Sequence, residues 1–316
     1  RNLEALAPLL CEKYIERCMF CTDDKHPNDL LEKGHIDYIV KKAISLGANP
    51  IMAVKAAGYT AARYFLLNNR GAIAPGYLAD FVVIDNWENF EIEMVYKKGK
   101  LMYDGVLRDF DTPEIDPYLV NRAHDTFHLP VLSPADFANT RLRGVIGMVP
   151  GQIITQDAGY AAGVDVSKDI LKMAVVERHK NTRHIGIGYL KGYGLKSGAV
   201  ATSVAHDSHN IICVGTNDED MAFAVNRIAR NRGGIVVVEN GQVLAELPLE
   251  IAGIISGKPL REVNTLLEDA KKAAHTLGVG TDIDPFMTLS FMSLPVIPTL
   301  RLTTRGVVDV NTQQYV

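Results

Sequence analysis

The sequence predicts a chain of mixed α/β and α+β character, and three observations carry that prediction. The short apolar run Cys18-Met19-Phe20-Cys21 opens into the acidic loop Thr22-Asp23-Asp24 and then an amphipathic helix, the strand-loop-helix order of an α/β unit. From Gly71 the texture changes to short apolar runs bounded by Gly, Pro and Asp, which predicts a small β unit. Beyond Thr140, β-branched runs are followed by helical periods, and a separate α+β domain is expected there.

A chain of 316 residues favours two domains over one. Its 47% hydrophobic and 22% charged residues are those of a soluble globular protein. A net charge of -4 supplies no basic footprint for phosphates, so nucleic acid is not an expected partner. No apolar run approaches the roughly 18 residues that suggest a membrane span. Cys11, Cys18, Cys21 and Cys213 are too few for a disulfide framework, so a reducing cytoplasm is the expected setting. Arg1 is neither an initiator methionine nor part of a signal peptide, and the expectation is a fragment or a processed chain.

In chain order, Leu3, Leu6, Leu9 and Leu10 predict the end of a helix over 2–14. Cys18 to Cys21 is expected as a strand that delivers Asp23 and Asp24 to its carboxyl end, the place where a parallel α/β barrel gathers catalytic groups. Ile36, Ile39, Val40, Ala43 and Ile44 share one face of a helix over 35–46, with Gly47 as its cap. Asn49-Pro50 starts another. Strands are expected within 71–85, at 92–96 and at 100–103. The stretch 108–140, rich in Asp, Pro and Asn, predicts a linker or an extended wrapping segment. Strands at 144–154 and 169–177 begin the last domain. A helix over 217–230 carries acids in its first turn and arginines in its last, a hairpin turns at Glu239-Asn240-Gly241, and 259–277 is the final helix.

Two stretches carry candidate chemistry. Asp23 is a carboxylate at the mouth of a loop, suited by type to hard-metal ligation or base work, though Asp is equally common in turns and caps. Asp24 and His26 lie near enough to orient it or a ligand. Cys18 and Cys21 have CxxC spacing without a second pair, so small buried core residues are expected. In the second stretch, Gly186 to Ala199 is glycine-rich, but Leu195 separates Gly194 from Lys196-Ser197, which rules out a phosphate loop. His206, Asp207, Ser208, His209 and Asn210 follow, five polar residues between apolar runs. They fit either a helix face with two imidazoles for a ligand or metal, or a hydrogen-bonded polar turn.

The Thr22-Asp23-Asp24 stretch resembles the last-strand signature of the amidohydrolase superfamily, and Gly71 to Val82 resembles a pattern widespread in it. Gly194-Leu195-Lys196-Ser197-Gly198-Ala199 and Ser203 to Asn210 narrow the resemblance to the adenine deaminase family. The resemblance implies a remnant of a metal-dependent (β/α)8 barrel at 1–68, β-sandwich strands and linker at 69–139, and the family's carboxy-terminal α+β domain at 140–316. It implies hydrolysis of adenine to hypoxanthine and ammonia in purine salvage with manganese or iron, Asp23 being a metal ligand and proton carrier. The 206–210 cluster would help close the site over the purine.

Adenine is then the expected partner and a homo-oligomer is left open. The family's other ligands have no match here, since no His-x-His occurs, so this chain alone is expected to be inactive. Thr60 and Leu66 also stand where that family usually has Asn and Gly. A non-enzymatic binding module, or another amidohydrolase such as a dihydroorotase or imidazolonepropionase relative, is the competing reading.

Overall fold

The computed structural model describes residues 2–110 and 113–316, which divide into two compact units between Glu114 and Ile115. The first unit opens with α1 (Leu3–Leu6), much shorter than the helix expected over 2–14. Pro8 has no N–H to continue it, and the chain tightens into a single turn of 3-10 helix at Ala7–Leu9. The strand expected at Cys18 to Cys21 does not form either. Cys18 is extended at φ -109° and ψ 126°, but Phe20 N–H donates to the Ala56 carbonyl (3.3 Å) and no described strand lies alongside to build a ladder.

Four helices follow: α2 (Pro27–Lys33), α3 (Ile36–Ser45), α4 (Pro50–Ala57) and α5 (Tyr59–Tyr64). The expectation missed α2, although Pro27 in its first turn and the Asp29–Lys33 pair one turn apart both mark it. α4 starts as expected, Asn49 Oδ1 accepting from Ile51 N (2.9 Å) and Met52 N (3.4 Å). Val40, Ala43, Ala53 and Ala56 bury the facing sides of α3 and α4 around Leu10, Ile15 and Phe90. The unit ends in an antiparallel sheet of β1 (Phe81–Ile84), β2 (Ile92–Lys97) and β3 (Lys100–Tyr103). Among the described residues no barrel closes.

The second unit starts inside the expected linker. α6 (Pro117–His124) is capped by Asp116, whose Oδ1 accepts from Tyr118 N (2.9 Å), and Leu132 and Phe137 are buried. This segment therefore packs, because its few large apolar residues have a helix to lie against. Its centre is an eight-stranded mixed sheet: β4 (Arg143–Met148), β5 (Thr155–Ala161), β6 (Ile170–Val176), β7 (Ile185–Lys191), β8 (Ala199–Thr202), β9 (Ile211–Gly215), β10 (Gly234–Glu239) and β11 (Gln242–Pro248). The order is β11-β10-β8-β9-β6-β7-β4-β5, with only β4 and β7 parallel.

Both faces of the sheet are covered, which is why β6 reads as a nearly continuous apolar run. Leu171, Met173 and Val175 enter one core, Ala174 and Val176 the other. The second face is packed by α7 (Asp218–Arg230), whose Met221, Ala224, Val225 and Ile228 are fully buried. Each of the larger ones contributes roughly 1.5–3 kcal/mol by leaving water. The first face carries α8 (Leu260–Thr276), α9 (Pro285–Met292) and the hairpin of β12 (Leu300–Thr303) and β13 (Gly306–Asp309), to which β14 (Gln314–Tyr315) adds. The helix over 259–277 is thus not the last. Asp284 caps α9, accepting from Phe286 N (3.1 Å) and Met287 N (2.8 Å), a start signal the expectation passed over.

Close approach explains the glycines of β7. A Cβ on Gly186 would sit 1.8 Å from the Thr303 carbonyl oxygen, and one on Gly188 would sit 2.5 Å from Val307 Cγ2. One hydroxyl ties the sheet to the final hairpin: Thr155 Oγ1 donates to Leu300 O (2.8 Å) and accepts from Thr299 N and Leu300 N (both 3.1 Å).

Candidate functional site

Asp23 follows the extended segment and adopts φ 57°, a left-handed conformation that Asp tolerates better than most residues. Its amide donates to Cys21 Sγ (3.4 Å), and its Oδ1 accepts from the Asp24 amide (2.9 Å). The carboxylate is exposed on the wall of a cavity of about 650 Å³ that Cys18, Cys21, Lys25, Tyr38 and Lys42 also line. Lys25 is committed elsewhere: Nζ donates to Gly34 O (2.5 Å) and lies 5.3 Å from the Tyr38 ring centre. Asp24 is exposed, and His26 is half-buried at the residue preceding α2. Cys21 is exposed and Cys18 half-buried, a correction to the core role expected of them, because the segment lies at the cavity rather than inside a sheet.

The amidohydrolase resemblance implies a divalent metal. Among the described residues no three His, Cys, Asp or Glu converge to hold one. Asp23 alone is one ligand, and these residues do not fit a metal centre by themselves.

The cluster at 206–210 is a turn between β8 and β9, not a helix, so the paired-imidazole helix face is excluded. Its ends are fixed by distant groups. His206 N donates to Ser290 O (3.0 Å), and its ring lies 4.7 Å from that of Phe291. His209, at φ 47°, donates its amide to Ala205 O (2.6 Å), and its ring centre is 6.2 Å from that of His206. Burial, then the neighbouring His206 and Arg178, pushes the His209 imidazole below its ordinary pKa. Ser208 O accepts from His179 Nε2 (2.8 Å) and Asn210 Oδ1 from Arg178 N (3.4 Å). Asp207 and Ser208 form the tip and are the exposed residues of the five. The arrangement can present a carboxylate and a hydroxyl from a rigid base.

The residue the sequence reading missed is Arg178, 2% exposed. It donates from Nε to His209 O (2.5 Å), from Nη1 to Thr126 O (2.8 Å) and from Nη2 to Ala252 O (2.9 Å). An arginine two positions beyond the end of the apolar strand β6 was the available signal. The Gly194 to Gly198 stretch has a packing role instead: a Cβ on Gly194 would meet Gly278 O at 2.7 Å, and one on Gly198 would meet Val238 O at 2.2 Å.

Comparison with known proteins fits these two units in turn. Residues 1–102 match the amidohydrolase family model, so the first unit is of amidohydrolase type. Residues 152–314, more than half of the chain, match the model of the adenine deaminase C-terminal domain. Along its whole length the chain is 44% identical to a protein named adenine deaminase from Nitratidesulfovibrio vulgaris, covering 56% of that relative. It is 43% identical to an adenine deaminase of Dehalococcoides mccartyi and 40% identical to adenine deaminase 1 of Rhizobium meliloti, over 98% of this chain and 56% of each relative. The chain belongs to the adenine deaminase family. It spans little more than half the length of these curated relatives.

Proposed function

We propose that the complete protein hydrolyses adenine to hypoxanthine and ammonia in purine salvage, with Asp23 as its proton-carrying carboxylate and the 206–210 turn as a substrate-side cluster. Asp23 is the carboxylate that takes a proton from the attacking water as oxygen adds to C6 and passes it to the departing amine. Its exposure on the cavity wall and its hold by the Asp24 amide suit that task. Asp24 and His26 orient it, and the 206–210 turn lies on the substrate side, meeting the purine with Asp207 and Ser208.

The amidohydrolase family suggests a divalent metal, here taken as manganese or iron, with Asp23 as one ligand and its companions from outside these 316 residues, since among the described residues no three His, Cys, Asp or Glu converge to hold one. The observation that carries the reading is the match along the entire chain to relatives named adenine deaminase.

The test is an absorbance assay of adenine loss with ammonia release. In the complete protein, Asp23→Asn lowers kcat by about a hundredfold or more, the scale of a lost general base, with the melting temperature unchanged. The 316-residue chain alone gives no turnover. A fully active Asp23→Asn protein overturns the assignment, and turnover by the chain alone overturns the claim that its centre is completed from elsewhere.

A further inference from the structure

Arg178 is buried without a carboxylate hydrogen-bonded to it among its described partners, and its guanidinium is instead shared among three carbonyls on segments far apart in sequence. Thr126 precedes the sheet, His209 belongs to the turn after β8, and Ala252 follows β11. The guanidinium also lies 4.3 Å from the Phe127 ring centre. Space for it depends on Gly253, at φ 77°, where a Cβ would come within 2.8 Å of Arg178 Nη2. Buried cations are costly, and a fold gains little from one that merely fills space when an apolar side chain would serve. What the fork does supply is geometry: its rigid donors fix the direction of the His209 carbonyl, and with it the left-handed conformation of His209. The Arg178 amide meanwhile holds Asn210 Oδ1, so one residue grips both His209 and Asn210 at the far end of the turn.

We infer that Arg178 is a positioning residue for the adenine site: it sets the turn from which Asp207 and Ser208 face the substrate. The inference rests on the substrate-side reading of that turn. It assigns the arginine no contact with adenine and no step in the reaction. A lysine keeps the charge but cannot reach three carbonyls in one plane, whereas a methionine loses charge and fork together.

The experiment compares Arg178→Lys and Arg178→Met with the parent by amide hydrogen exchange over 206–210, by NMR titration of His209, and by adenine kinetics in the complete protein. Expected are faster exchange in both variants and, in the lysine variant, where the positive charge is kept, a His209 pKa that rises toward its ordinary value as the turn loosens. The expected loss of kcat/KM is about tenfold or more in the methionine variant and smaller in the lysine variant, the scale on which misplacement of a site group is felt. A purely structural arginine would lower the melting temperature and leave kcat/KM per folded molecule at the parent value.

Unchanged exchange and titration at the turn overturn the inference. So does a loosened turn with unaltered kinetics, and Asp207→Ala then separates the two failures. If Asp207→Ala lowers kcat/KM, the substrate-side reading stands and only the role of Arg178 falls; if it is silent, the substrate-side reading falls with it.

Discussion

The Asp23 loop and the 206–210 turn both follow apolar runs and both bear acidic and histidine side chains, yet they are held differently. Asp23 is bonded to its own neighbours, Cys21 and Asp24. The second turn is bonded to His179 and Arg178, across 29 and 31 positions, and to Ser290 of helix α9 well beyond it. A locally held group keeps its orientation wherever the rest of the fold goes, while one held from afar reports on the whole domain. The contrast extends to the two units: the first has one small core of alanines and a few larger residues around α3 and α4, and the second has a core on each face of its sheet.

Long-range contacts should therefore give the largest effects, and Gly186→Ala is the sharpest test. With the added carbon 1.8 Å from the Thr303 carbonyl, strand and hairpin must part, and a loss of about 3 kcal/mol or more is expected as a lower urea midpoint for the second unit. An unchanged midpoint would break the claim that the final hairpin braces the sheet.

The next effect concerns α7 and β11, joined when Glu246 accepts from Arg227 Nε and Nη2 (both 2.7 Å) and from Asn231 Nδ2 (2.8 Å). Arg227, then Asn231, holds the Glu246 carboxyl below the usual glutamate range against the opposing effect of burial. A folded-state pKa below the unfolded one stabilises above the ordinary glutamate value, and the gain fades as pH falls through the folded pKa. Glu246→Gln is expected to cost about 1 kcal/mol at neutral pH after allowance for solvent, and to flatten the acid limb of the stability curve below about pH 4.5. Parallel curves for parent and variant would remove the pair from the ledger.

The smallest effect belongs to the most local contact. Asp29 and Lys33 pair within one turn of α2 (2.7 Å), and Asp29→Asn should move the melting temperature by less than about 1 °C. A larger shift would mean that sequence separation does not rank these contacts.

That ranking also explains what could be read without coordinates. The helices over 35–46 and 217–230, the hairpin at Asn240-Gly241 and the start at Asn49-Pro50 rest on period, caps and turn residues within a few positions, and all formed where expected. The strand at Cys18 to Cys21 failed because apolar composition cannot say whether a neighbouring strand exists. α6 was hidden in a polar stretch, and its start signal, Asp116-Pro117, was outweighed by composition. The resemblance picked out Asp23 and the 206–210 turn, but no spacing rule links Arg178 to Thr126, His209 and Ala252. Their meeting is a product of the sheet order.

Thr155 bears on the timing of synthesis. Its hydroxyl meets Leu300 across 145 positions, and Thr303 and Val307, the hairpin residues against β7, come later still. While the chain grows from its amino end, β4 to β11 can be made and partly paired with one face of the sheet still uncovered. The second unit can complete its core only after β12 and β13 leave the ribosome, so that core closes in one late step rather than strand by strand along the way.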